Sequence, residues 1–160
     1  MLKVSECIDP DPVSVRRGAP LKEIIKVFRE HRFHVLPVVE GERRVAGVIT
    51  LDGITSVFQP RSSEITRLLQ TMPFIDEAPS DELEMEYITP EMGILVVADE
   101  IMSPDFMSVS PGDSILKAYS VMKKNNTRLL LVTGPDGRLE GVLGLFDIIY
   151  TLFKKKGIIK

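Results

Sequence analysis

The sequence predicts an α+β fold made of two copies of one β-α-β-β-α unit. Three observations predict it. The 160 residues are enough for one ordinary domain or two small ones. Apolar residues make up 44%, a normal share for a chain that builds a core. Laid against itself at an offset of 94 positions, the chain aligns residues 8–57 with 102–151 without a gap. Pro10-Asp11 falls on Pro104-Asp105, Ser14-Val15 on Ser108-Val109, Gly47-Val48 on Gly141-Val142, and Ile54 on Ile148. A unit of about 50 residues buries too little core alone, so the copies are expected to pack on each other.

Each copy opens on a short β-prone segment, Pro12–Val15 and Phe106–Val109. A helix follows. Leu21, Ile24, Ile25 and Phe28 recur at i, i+3, i+4, i+7, as do Ile115, Ala118, Tyr119 and Met122, which places one apolar stripe on each helix. Pro20 suits a first helical turn, and Asp113 is the expected N-cap of the second helix. Two strands come next, Phe33–Val39 then Val45–Thr50, matched by Thr127–Val132 then Leu139–Gly144. Glu40-Gly41-Glu42 and Gly134-Pro135-Asp136-Gly137 are the turns between them. Closing helices are expected over Ile54–Phe58 and Asp147–Phe153.

The copies leave an insert between them, dividing the chain into repeat 1 (1–58), insert (59–100) and repeat 2 (101–160). Helix starts are expected at Ser63, Ser80 and Thr89-Pro90-Glu91, with Pro73 and Pro79 as breakers. The run Gly93–Ala98 is apolar enough to be buried, as helix or strand. The insert therefore reads as an ordered arm, either a variable connection or a contact for a partner or second copy.

Composition narrows the function. The net charge of -3 argues against a nucleic-acid binder, as does the lack of aromatics interleaved on a basic stripe. That charge divides unevenly. The insert holds ten acidic residues against Arg61 and Arg67, and the rest of the chain is net basic. The single cysteine, Cys7, excludes an intrachain disulfide and a paired-cysteine zinc site. With no signal-peptide core and no apolar run of membrane-spanning length, the expected product is soluble and cytoplasmic, without membrane association. No Ser/His/Asp set, metal cluster or paired-carboxylate site stands out, so no catalysis is expected. Gly141-x-x-Gly144 is no phosphate loop, because no Gly-Lys-Ser/Thr follows.

The doubled layout, with His34-Val35-Leu36-Pro37-Val38-Val39 and Gly47-Val48-Ile49-Thr50, resembles the CBS domain, which occurs in tandem pairs called Bateman modules. The resemblance covers about 100 of the 160 residues. It implies two repeats packed about a pseudo-twofold axis, with two equivalent clefts for adenosine-containing ligands (AMP, ADP, ATP or S-adenosylmethionine). It also implies a homodimer of two such modules and a regulated partner protein.

The family's ribose signature, Gly-x-x-(Ser/Thr)-x-x-Asp, is divided here. Repeat 1 runs Gly47 to Gly53, keeping Thr50 and lacking the aspartate. Repeat 2 runs Gly141 to Asp147, keeping the aspartate and carrying Gly144 in place of the hydroxyl. The resemblance thus implies one ligand cleft, at Asp147, with adenine between Val142 and the Pro12-Val13 segment of the other repeat. His34 and Arg128, with Arg32 nearby, are the basic positions it implies. So thin a phosphate grip favours a mono- or diphosphate, or a sulfonium ligand, over a triphosphate. Each residue has a plainer reading: Asp147 or Thr50 as a helix cap, His34 as an inner strand histidine. The rival function is a dimerisation or docking module with empty clefts.

Overall fold

A computed structural model of the chain describes residues 1–31, 34–58 and 88–160. Arg32 and the helix starts expected at Ser63 and Ser80 lie outside the described residues. Two three-stranded sheets form, with the same topology. In the first, β1 (Val15–Arg16) runs parallel to β2 (Val35–Glu40), which pairs antiparallel with β3 (Arg44–Thr50). In the second, β4 (Ser108–Val109), β5 (Leu129–Thr133) and β6 (Leu139–Gly144) repeat that order. The registers coincide under the 94-residue offset. Leu36 faces Ile49 as Leu130 faces Leu143, and Val38 faces Gly47 as Val132 faces Gly141.

Helix α1 (Leu21–His31) and α2 (Leu51–Thr55) belong to repeat 1. Two short helices follow, α3 (Met92–Leu95) and α4 (Ala98–Ile101), then α5 (Ile115–Lys124) and α6 (Leu145–Lys155). The apolar stripes point inward as the spacing requires: Leu21, Ile24 and Phe28 are buried on α1, and Ile115, Ala118 and Met122 on α5. Ile25 and Tyr119, the fourth members of each stripe, sit at its edge and are exposed. Two sequence expectations are corrected. Ser114, not Asp113, caps α5, its Oγ accepting from the Lys117 N–H at 3.2 Å. Asp113 instead accepts from the Ser110 N–H and pairs with Lys117. And the Gly93–Ala98 run is not buried as a unit: Ile94 and Leu95 face solvent, and only Ala98 is enclosed.

Ala98 is enclosed because its segment crosses to repeat 1. It packs among Ala19, Ile24, Leu36 and Ile49. Its N–H donates to Ala19 O at 2.9 Å, Asp99 N–H donates to Arg17 O, and Leu21 N–H donates to Val96 O. The segment at the start of the chain does the same to repeat 2. Val4, fully buried, joins the core of Ile115, Leu130 and Leu143. Its N–H donates to Asp113 O at 2.9 Å, Ser5 N–H donates to Pro111 O, and Ile115 N–H donates to Leu2 O. Every bond in one set has its counterpart 94 residues away in the other. Burying a valine side chain such as Val4 is worth about 1.5–3 kcal/mol; on the other side Ala98 adds less by itself and is backed by the partly buried Ile101 and Met102. The same segment buries Cys7, and that burial pushes its thiol pKa up.

A third apolar cluster, Val39, Val48, Leu131 and Leu139, joins the sheets to each other. The two hairpins also meet through Val45 N–H to Gly137 O and Leu139 N–H to Arg43 O, at 3.0 and 2.9 Å.

The leaders explain two repeated glycines. A Cβ on Gly47 would lie 2.5 Å from the Ser103 carbonyl oxygen, and one on Gly141 would meet Ile8 at 2.7 Å and Asp9 O at 3.0 Å. Gly47→Ala is expected to lower stability by about 1–3 kcal/mol through overpacking against backbone. Gly18→Ala, with open space around it, is expected to cost nothing; urea unfolding of both variants checks the pair. Glu6 ties the first leader to α6, accepting from Lys155 Nζ at 2.8 Å and from the Lys3 N–H at 2.7 Å. The Lys155 hydrogen bond, then that backbone bond, hold its carboxyl below the ordinary glutamate range. A depressed folded pKa gives stability that is present above the unfolded value and lost as pH falls through the folded one. Glu6→Gln is therefore expected to be less stable than wild type at neutral pH and equal to it in acid, read from urea midpoints across pH.

Candidate functional site

Strand β6 ends at Gly144, which is the N-cap of α6, and Asp147 is the third residue of that helix. Asp147 is thus not the N-cap. Its Oδ2 accepts the Gly144 N–H at 2.7 Å, which fixes the carboxylate against the helix start. Its Oδ1 has no partner among the described residues. A carboxylate held in this way can accept from two neighbouring hydroxyls, and the first-turn N–H groups make the surroundings favourable to negative charge.

Asp147 opens onto a cleft of about 460 Å³ built from both repeats. Val35 and Pro37 of β2, Leu129 of β5 and Val142 of β6 supply apolar walls, together with Pro12 and Val13 ahead of β1. The polar groups are Asp9, Asp11, His31 and Asp147. An apolar slot with few polar groups at one end is the usual form of a small-molecule site. Of the residues expected from sequence, Asp147, Val142, Gly144, Pro12 and Val13 come together here. His34 and Arg128 are exposed and belong to the lining of neither cleft. Arg128 contributes its carbonyl, which accepts the Leu145 N–H at 2.8 Å.

Sequence reasoning missed Asp9, Asp11 and His31. Asp11 carried a signal, since Pro10-Asp11 repeats as Pro104-Asp105. Asp9 lies in the leader that runs beside Gly141, a contact no local pattern reveals.

The sister cleft lies where the offset demands. Its lining includes Val48, Thr50, Asp105, Phe106, Met107, Leu129 and Leu131, and it holds about 220 Å³. Phe106 and Met107 stand where Pro12 and Val13 stand in the larger cleft, and these bulkier side chains line the smaller space. Thr50 caps α2, its Oγ1 accepting from the Gly53 N–H at 3.1 Å. Gly53, at the place of the aspartate, is closely covered: a Cβ there would lie 2.9 Å from the Ile101 carbonyl oxygen. The missing carboxylate thus has a steric counterpart in the leader above it. Among the described residues no three His, Cys, Asp or Glu side chains converge as a metal site, and no helix is long and apolar enough to cross a membrane.

Comparison with known proteins places this geometry. The uncharacterized protein MJ1426 of Methanocaldococcus jannaschii is 22% identical over 144 residues, 88% of this chain and 86% of that protein. The magnesium transporter MgtE of Thermus thermophilus is 32% identical over 62 residues, which are 39% of this chain and only 14% of the transporter. Among solved structures, CBSX2 in complex with AMP superposes with a TM-score of 0.70 at 16% identity, covering 98% of this chain and 99% of that one. The CBS domain pair of protein MJ0100, in complex with 5′-methylthioadenosine and S-adenosyl-L-methionine, gives 0.65 at 17% identity, covering 97% and 98%. The family model of the CBS domain matches twice, at residues 4–59 and 97–154. Each match runs from a crossing leader to the closing helix of its repeat, and on that doubled match the chain belongs to the CBS-domain family as a tandem pair.

Proposed function

We propose that the chain is a regulatory module, without catalysis of its own, that senses an adenosyl ligand in the Asp147 cleft. The observation that carries this reading is the joining of one fixed ribose-type acceptor to apolar walls from both repeats. A ligand seated there touches both repeats at once, so it can favour one relative tilt over another, and only such a difference in affinity moves an equilibrium. The AMP and S-adenosylmethionine complexes of similar structures support the ligand class.

The cleft's charge refines the class. Three carboxylates line it, and His31 is its one basic side chain among the described residues. A phosphate would meet like charge, whereas a sulfonium or an amino group would be attracted. Arg128, near but outside the lining, would have to turn inward to hold a phosphate. We therefore rank a neutral or cationic adenosyl compound, S-adenosylmethionine or methylthioadenosine, above AMP and ADP, and ATP last.

A second reading, a dimerisation module, has its own support. Phe146, Ile149, Tyr150 and Phe153 lie at i, i+3, i+4, i+7 on α6 and are 40–72% exposed. The equivalent positions on repeat 1 begin Asp52, Thr55, Ser56, which are polar, so this band is special to repeat 2. An apolar stripe on one helix is self-complementary about a twofold axis and suits a homodimer.

Calorimetry with the five adenosyl compounds tests the first reading. Asp147→Asn is expected to weaken the best ligand about 5- to 150-fold by leaving ribose hydroxyls without their acceptor. Thr50→Ala is expected to leave that affinity unchanged and to cost about 1 kcal/mol of stability as a lost cap. No heat and no thermal shift with any of the five compounds would overturn the sensing role. For the second reading, Phe146→Glu is expected to turn a dimer into a monomer in sedimentation equilibrium; a wild-type monomer defeats it.

A further inference from the structure

We propose that the hairpin end of the module, at the opposite ends of β3 and β6 from the Asp147 cleft, binds an oligophosphate anion. Two adjoining hollows of about 510 and 400 Å³ lie there and share Glu40 and Gly41. Arg16, Arg17 and Arg43 line the first, and Arg44 and Arg138 the second. None of these residues lines the Asp147 cleft. Arg44 and Arg138 are equivalent under the offset and form a β-bridge with each other where the two hairpins meet.

Two of the five guanidinium groups are already committed. Arg17 holds Glu40 at 2.7 Å and Asp99 at 2.5 Å, and Arg138 holds Asp136 at 2.9 Å and also Glu42. The acidic side chains are thereby used to set these two arms. Arg16, Arg43 and Arg44 have no side-chain ion pair or hydrogen bond among the described residues. Three cations without a protein partner thus border two adjoining hollows.

Arg43 is held in a conformation that an arginine does not favour. Its φ is +65°, the left-handed region, and its counterpart in the other repeat is Gly137 at +80°. This turn calls for a left-handed residue, and glycine supplies it without steric cost. Repeat 1 places a guanidinium there instead. A strained residue kept where glycine is free of cost is the kind of outlier from which a functional role is inferred.

The free cations are spread over both hollows, so a single compact anion reaches only part of them. A chain of two or three phosphates instead offers separate oxyanion groups to the cations of both hollows, and each guanidinium can meet one of them with paired donors. This inference is independent of the adenosyl reading.

Calorimetric titration of the full chain with sodium tripolyphosphate tests it, with sulfate and a hexaglutamate peptide as comparators. Tripolyphosphate is expected to bind more tightly than either. Arg43→Gly is expected to weaken it about ten- to a hundredfold, the value of one charge-assisted contact, while urea unfolding shows stability unchanged or raised. Asp147→Asn is expected to leave it unaffected. The proposal is overturned by an absence of tripolyphosphate binding, by affinity indifferent to Arg43→Gly, or by loss of binding in Asp147→Asn. Tighter binding of hexaglutamate overturns it in favour of an acidic protein partner, and sulfate binding of equal strength overturns the spanning of both hollows.

Discussion

Everything in this molecule depends on the exchange of leader segments between repeats. Val4 completes the core of repeat 2 and Ala98 completes that of repeat 1. Each leader lies so close to the opposite sheet that Gly47 and Gly141 have no room for a side chain. The exchange sets the relation of the two sheets, and that relation creates the clefts. Residues 9–13 reach the Asp147 cleft because the leader ahead of them is pinned to repeat 2, and residues 105–107 reach the sister cleft by the same route.

Symmetry of backbone has not meant symmetry of the clefts. The two clefts share strand order, register and position, yet differ about twofold in volume and in their acid group. A few side chains account for this. Phe106 and Met107 line the smaller cleft where Pro12 and Val13 line the larger, and Ile101 covers the place where a second aspartate would stand. The charges differ as well: Asp9, Asp11 and Asp147 line the larger cleft, whereas at the hairpin end five arginines outnumber the Glu40 and Glu42 carboxylates beside them.

Much of this was legible from residues alone, and the reason is the offset. A gapless repeat turns one sequence into two readings of the same fold, so the strands and the turns followed from it, while the five residues that meet in the Asp147 cleft came from the resemblance to the CBS domain. What escaped was long-range or local in detail. Val4 and Ala98 sit in short segments without periodicity, and nothing in such a segment says which repeat will bury it. The Gly93–Ala98 run was apolar without being periodic, and hydropathy alone put it inside. Ser114 and Asp113 are both good caps; the choice went to Ser114 because Asp113 was drawn to the Ser110 N–H and Lys117. His34 and Arg128 are equivalent under the offset, and the resemblance made them the basic positions of the clefts, but no local pattern says that neither would join a cleft lining.

The matched hydrogen bonds of the leaders bear on ancestry. Val4 to Asp113 is the same bond as Ala98 to Ala19, made in the opposite direction between the repeats. Two separate chains, each carrying a single repeat, would satisfy every one of these contacts by trading leaders with each other. The tandem protein is in this sense a domain-swapped dimer whose halves have been joined covalently. Fusion removes the concentration dependence of assembly and frees the two halves to diverge, which a true homodimer cannot do. Two clefts that differ in size and in their carboxylates are a state closed to two identical single-repeat chains related by a twofold axis.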